Sequence, residues 1–355
     1  MPSAILKEAK PDDPRRVPLG EADLKNGSYS APALQMALEG LHQDGMVILK
    51  DVVNPEHCDI LHEHMSGDRD RILRERHAGA KVYNQGVKSN ILQAPPFTKP
   101  ELLFDDVHFN PFVVQVMNAY LGANPKWIMS TGNNALAGTG GLRQPVHKDT
   151  RFRHPKCPFV IVANTALNDF TLENGATEFW LGSHAFTDER DQTMATPETV
   201  FGKQKVGTPS CPVREDVVEA RRAIRPPVRA TMAKGDVMLR DFRCWHAGMP
   251  NATDQDRIMV AQIWMVRRTL SLTYGVNDAD FAEAPWYPNF VTRLNLPLSQ
   301  AEFFQSHANK LPMEIMANYI SDDAVEFDQH RDNFSMEPSH YLDYYDIAPQ
   351  NYRYQ

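Results

Sequence analysis

The apolar and polar positions of this 355-residue chain change period along its length, and the changes predict a helical N-terminal third followed by strands. Leu34, Leu38 and Leu41 recur at helical spacing and run into Asp44-Gly45, a turn signal. Met46-Val47-Ile48-Leu49 follows as a short apolar strand. Asn54-Pro55 then opens a second helix, with Asn54 as N-cap and Pro55 at the first helical position. Asn110 to Leu121 is amphipathic and stops at Gly122. From Trp127 the pattern becomes strand-like: Pro158 to Leu167 is apolar and β-branched, and Val237 to Phe242 follows Gly235-Asp236. Ile258 to Val266 is apolar on both faces, the mark of a buried strand. A last helix is expected from about Ser299 to Tyr319. Strands bounded by turn residues predict a barrel or jelly roll, mostly β with flanking helices.

This pattern divides the chain into a polar N-terminal arm (1–30), a single domain (31–300), and a C-terminal helix with an acidic aromatic tail (301–355). Residues 186–230 interrupt the domain. They are polar, contain five prolines and eight Lys or Arg, and read as a lid-like insertion, because long insertions between core strands are more often functional than structural. The tail from Ser321 holds eight Asp or Glu and seven Phe or Tyr. So many aromatics predict that it docks, either on its own barrel or on a second subunit of a homodimer.

Composition narrows the class. The net charge of −8, without a long basic run, argues against a nucleic-acid partner. No stretch of eighteen apolar residues predicts a membrane helix, and the N-terminus turns polar too early for a secretory signal. Cys58, Cys157, Cys211 and Cys244 form no CxxC pair and no disulfide framework, so they read as reduced thiols of a cytoplasmic protein.

The candidate chemistry lies in two places. The first is His147-Lys148-Asp149. On a strand, residues i and i+2 share a face, so His147 and Asp149 would project together. The second is His246, at the end of a strand before Ala247-Gly248, with Arg257 eleven residues on. Two histidines and a carboxylate can take one face of a non-haem Fe(II) ion and leave the other for O2 and a chelating co-substrate. Arg257 leads a buried strand and needs a partner, which a bound carboxylate would supply. His62 and His64 diverge on a helix, and His42, His57, His108 and His154 have no neighbour at ligand spacing.

With Glu173-Asn174-Gly175-Ala176-Thr177, Leu181-Gly182-Ser183-His184, Lys234-Gly235-Asp236 and the early Asp44-Gly45-Met46-Val47-Ile48, these residues resemble the phytanoyl-CoA dioxygenase (PhyH-like) family of Fe(II)/2-oxoglutarate oxygenases, over roughly residues 34–270. The resemblance implies a double-stranded β-helix, a cupin-like jelly roll. It implies that His147, Asp149 and His246 hold Fe(II), that Arg257 binds the distal carboxylate of 2-oxoglutarate, and that Thr177 and Gln144 contact the same co-substrate. His184 would be structural, and Asn174-Gly175 reads equally as a plain turn. Oxidation of a small organic substrate would accompany conversion of 2-oxoglutarate and O2 to succinate and CO2. Halogenating relatives have a small residue where Asp149 stands, so hydroxylation, desaturation or a related oxidation is implied.

The substrate is not legible. A secondary metabolite is preferred; an acyl-CoA ester stays open through the cations of the insertion. Trp180, Phe152, Phe242 and Trp245 read equally as substrate contacts or as core. Two rival classes are a cupin-like metalloenzyme that does not use 2-oxoglutarate and a non-catalytic binding module. Arg257 and Thr177 count against the first, the intact triad against the second.

Overall fold

The computed structural model describes residues 13–77, 89–150, 157–185, 187–197, 206–207, 209–266 and 294–325. Its core is the mostly β jelly roll expected, with helices along one side. The larger sheet has seven strands in the order β1 (Arg16–Val17), β2 (Met46–Leu49), β11 (Val237–Asp241), β6 (Val160–Ala166), β13 (Met259–Met265), β4 (Lys126–Thr131) and β15 (Glu314–Ile315). The smaller has the order β10 (Val228–Arg229), β7 (Glu178–Phe179) and β12 (His246–Ala247). Three two-stranded pairings complete it: β3 (Asn90–Leu92) with β5 (Asn133–Ala135), β8 (Gln192–Met194) with β9 (Pro209–Val213), and β14 (Leu294–Pro297) with β16 (Ala317–Ile320).

Alternation along the strands separates two cores. Val47, Leu49, Ile161, Ala163, Val237 and Leu239 face outward and pack with Leu41, Val113, Met117 and Tyr120. The last four belong to helices α2 (Ala31–Asp44) and α5 (Pro111–Leu121). Met46, Ile48, Met238 and Met259 face inward and meet Phe179 and Leu181 of the smaller sheet side. Arg240 shares this inward register, since it is paired with Met46 on one side and Val162 on the other.

The helix ends follow their sequence signals. Asn110 caps α5 by accepting from Phe112 N and Val113 N at 3.1 and 3.2 Å. Gly45 ends α2 in the left-handed region (φ 77°), and a Cβ there would lie 2.6 Å from His184 Nδ1. Conformation and space both demand glycine.

Three regions refine the sequence reading. Within the stretch read as a polar arm, Arg16–Val17 pairs in parallel with β2, and the short helix α1 (Glu21–Asn26) follows. The expected 299–319 helix is only α7 (Ala301–Ala308), the last of seven described helices with α3 (Pro55–His77), α4 (Asp105–His108) and α6 (Glu215–Ile224). Pro312 disfavours helix in the residue before it, and the following residues pair as β15 and β16 instead. The tail aromatics from Phe327 onward lie outside the described residues, and with them the docking and homodimer expectation. No helix among the described residues is long and apolar enough to cross a membrane.

Candidate metal centre and co-substrate pocket

The HxD segment is held as a strand between two others. His147 and His246 exchange both backbone hydrogen bonds at 2.9 Å, pairing the segment with β12. On its other edge, Lys148 N donates to Cys211 O and Val213 N to Val146 O, pairing it with β9 of the insertion. The smaller sheet therefore continues through residues 146–148 into β9 and β8.

That placement brings His147, Asp149 and His246 together, with one ligand atom from each lying within 4.8 Å of the others. Asp149 Oδ1 is 3.9 Å from His147 Nε2 and 3.8 Å from His246 Nε2. Each imidazole uses Nδ1 on the carbonyl two residues before it: Pro145 O at 2.8 Å and Cys244 O at 3.0 Å. With Nδ1–H donating, the Nε2 lone pairs are the ones turned to the shared space. Burial lowers both histidines from their ordinary value, His246 well below it with Arg240 adding to the effect. Both are neutral at pH 7, as ligands must be.

Sequence reasoning missed Arg240. Its Nη2 holds Asp149 Oδ2 at 2.7 Å, so the second carboxylate oxygen is occupied and Oδ1 is left to the histidines. Burial works to raise the Asp149 carboxyl, but Arg240 and the two imidazoles outweigh it and hold it at about 2. The signal was available: an arginine in register with Met238 on the inward face of a buried strand needs an anion.

Arg257 is completely buried. Its guanidinium lies 4.5 Å from the centre of the Phe170 ring, and Nη2 donates to Asn133 O at 3.0 Å. Nε and Nη1 have no partner, and no carboxylate pairs with it among the described residues. Burial, with Arg229 adding to it, lowers this guanidinium to about 9. A buried cation with two unused donors fits an incoming carboxylate.

Thr177 is buried two residues before Phe179, whose ring stacks on His246 at 5.8 Å. In strand alternation it therefore belongs to the face carrying His246. Gln144 is also buried, and its Oε1 accepts from Gly248 N at 2.9 Å. That bond fixes the residue next but one after His246, a task the sequence did not suggest. His184 packs on Gly45 outside the triad. Asn174-Gly175 is a turn, Asn174 Oδ1 accepting from Thr171 N.

Three of the four aromatic candidates are core. Phe242 belongs to the outer cluster. Trp180 and Trp245 pack with Val146, Val213 and Val218 on the back of the ligand-bearing strands. The described part of the insertion thus covers the face away from the ligands, where apolar side chains of β9 and α6 bury that back. Phe152 lies outside the described residues. All four cysteines are free thiols.

A family model described as Phytanoyl-CoA dioxygenase (PhyH) matches residues 41–259. The iron/alpha-ketoglutarate-dependent dioxygenase penM of Penicillium thymicola is 27% identical over 210 residues, which are 56% of this chain and 54% of penM. The chain thus spans about half the length of that curated relative. Among solved structures, the non-heme alpha ketoglutarate dependent carbocyclase SnoK from nogalamycin biosynthesis superposes with a TM-score of 0.47 at 18% identity, covering 67% of this chain and 84% of SnoK. EctD from S. alaskensis does so with 0.47 at 16% identity, covering 73% and 80%.

Proposed function

Because this chain belongs to the phytanoyl-CoA dioxygenase (PhyH) family, we propose that it is an Fe(II)- and 2-oxoglutarate-dependent dioxygenase acting on a small organic molecule. The donor set fits the metal: two neutral imidazoles, each fixed through Nδ1, and a carboxylate ionised far below neutral pH. His147, Asp149 and His246 would hold it. When bound, iron supplies the place where 2-oxoglutarate and O2 react to oxidise a C–H bond, yielding succinate and CO2.

The observation that carries the co-substrate is Arg257. A fully buried guanidinium with two unused donors is costly until an anion arrives. A dicarboxylate reaching from the triad to Arg257 would supply that anion, and the flat Phe170 face holds the guanidinium in one plane to receive it. Thr177 would add a hydroxyl hydrogen bond. Gln144 would act chiefly by fixing Gly248.

The inward side chains beside Arg240 in the larger sheet are Met46 and Val162, with Ile263 and Met129 continuing the row. That surface favours an apolar skeleton, in keeping with a secondary metabolite. The acyl-CoA reading rested on the cations of the insertion. Arg190, Arg214, Arg222 and Arg225 pair with acids there or nearby, while Arg221 and Arg229 donate to backbone carbonyls. Lys203 and Lys205, the other two cations of the insertion, lie outside the described residues, so an acyl-CoA ester stays open as the second reading.

The test is turnover of 2-oxoglutarate to succinate with Fe(II) and O2. We expect succinate in the wild type and none in His147→Ala. Metal-dependent chemistry without succinate would point to the cupin-like enzyme that does not use 2-oxoglutarate.

A further inference from the structure

We infer that Thr187, at the start of the insertion, is a positioning residue for the metal site, its one hydroxyl tying down both ligand-bearing strands from behind. The inference rests on the reading of His147, Asp149 and His246 as metal ligands.

Lys148 sits between two ligands that face the site, so strand alternation turns its side chain to the back. There it is completely buried, and its Nζ reaches Thr187 Oγ1 at 3.2 Å and Asp188 O at 2.7 Å. Trp245 immediately precedes His246 and is also turned back. Its Nε1 donates to the same Thr187 Oγ1 at 3.1 Å. Thr187 Oγ1 in turn donates to Asp191 Oδ2 at 2.9 Å.

A hydroxyl has one proton to give and two lone pairs to receive with. Thr187 uses all three. Its two donors are each one residue from a ligand, on neighbouring strands joined by the His147–His246 pairing. Asp191 lies in a short helical turn with a reciprocal cap, since Asp188 N also donates to its Oδ2 at 3.0 Å. The turn leads directly into β8, which pairs with β9, and β9 pairs with the HxD segment. One hydroxyl therefore closes a loop from each ligand strand through the insertion and back. Losing it would strand the buried Trp245 indole N–H and take one partner each from the buried Lys148 ammonium and the half-buried Asp191 carboxylate, which could re-pair by shifting the strands that set the ligand spacing.

The experiment is Co(II) titration of the apo full-length protein without 2-oxoglutarate, read from the visible spectrum of the bound ion, with apo thermal stability measured alongside. Thr187→Val should weaken Co(II) binding about 10- to 100-fold, the usual effect of losing a group that orients a ligand. Thr187→Ser keeps the hydroxyl and should bind as the wild type does. Trp245→Phe removes only the indole donor and should weaken binding in the same direction by less; it decides the matter if the valine variant does not fold. His147→Ala should abolish binding. If both Thr187→Val and Trp245→Phe bind Co(II) as the wild type does while His147→Ala does not, Thr187 is merely structural and the inference fails, the triad reading standing. Wild-type binding by His147→Ala would overturn both.

Discussion

Two arginines in this protein are buried alike and surrounded oppositely. Arg243 places Nε and Nη2 on the two oxygens of Asp241 at 2.8 and 2.7 Å, and Tyr120 donates to the same carboxylate at 3.0 Å. Burial opposes its charge, but Asp241 wins and raises it further. Arg257 has an aromatic face, one carbonyl and two idle donors, and burial lowers it to about 9. The first is a finished structural pair. The second has no counter-ion among the described residues, which is why we propose a bound carboxylate for it. Buried charge alone does not mark a site; buried charge without its counter-ion does.

The largest effect that bears on this contrast comes from the ligands. Single Ala replacements of His147, Asp149 or His246 should abolish iron-dependent turnover with the fold retained, as circular dichroism would show. Wild-type turnover in all three would move the chemistry elsewhere and leave Arg257 unexplained. Next come the arginines themselves. Arg243→Met strands Asp241 and should cost about 3–5 kcal/mol of apo stability in urea unfolding. Arg257→Met removes an uncompensated charge along with one hydrogen bond, and should leave apo stability within about 1 kcal/mol. Equal losses in both would make Arg257 a fold residue.

Arg240→Gln should be smaller, weakening metal binding about 10- to 100-fold, because Asp149 loses the partner that reserves Oδ1 for the ion. Unchanged affinity would reduce that contact to an ordinary ion pair. The smallest effect is in pH. Both ligand histidines are lowered in the folded protein, so below about pH 6.5 the unfolded chain binds more protons than the folded one. Their contribution is present above that pH and is lost as pH falls through the folded values. Stability should decline from pH 7 to 5, and less steeply in His147→Gln/His246→Gln. Parallel profiles would contradict the lowering.

The parts of this arrangement that were readable in the sequence are those whose cause is local. Asn110, Pro55 and Gly45 mark helix ends because capping and left-handed turns act over a few residues. His147 and Asp149 were readable as a pair because strand alternation is a local rule. Arg240 on Asp149 was not, since the two come from different sheets whose facing is set by the whole barrel. Thr187 was hidden for the same reason: its three partners are spread over Lys148, Asp191 and Trp245. The helix expected up to Tyr319 stops at Ala308, because residues 314–320 find strand partners in β4 and β14 that are distant in sequence. The lid-like reading of the insertion came from polarity and proline, and its residues 198–205 lie outside the described residues. Three of its apolar residues, Val213, Val217 and Val218, bind its described part to the back of the ligand strands.

The contrast between the two arginines comes down to one titration. Fe(II) and 2-oxoglutarate are added without oxygen, and the weak visible charge-transfer band of the chelate is followed for wild type and Arg257→Met. The wild type should develop the band, and Arg257→Met should need roughly 30-fold more 2-oxoglutarate or beyond, the loss expected when a buried charge pair is broken. A band of equal affinity in both proteins, or none in the wild type, would contradict the account.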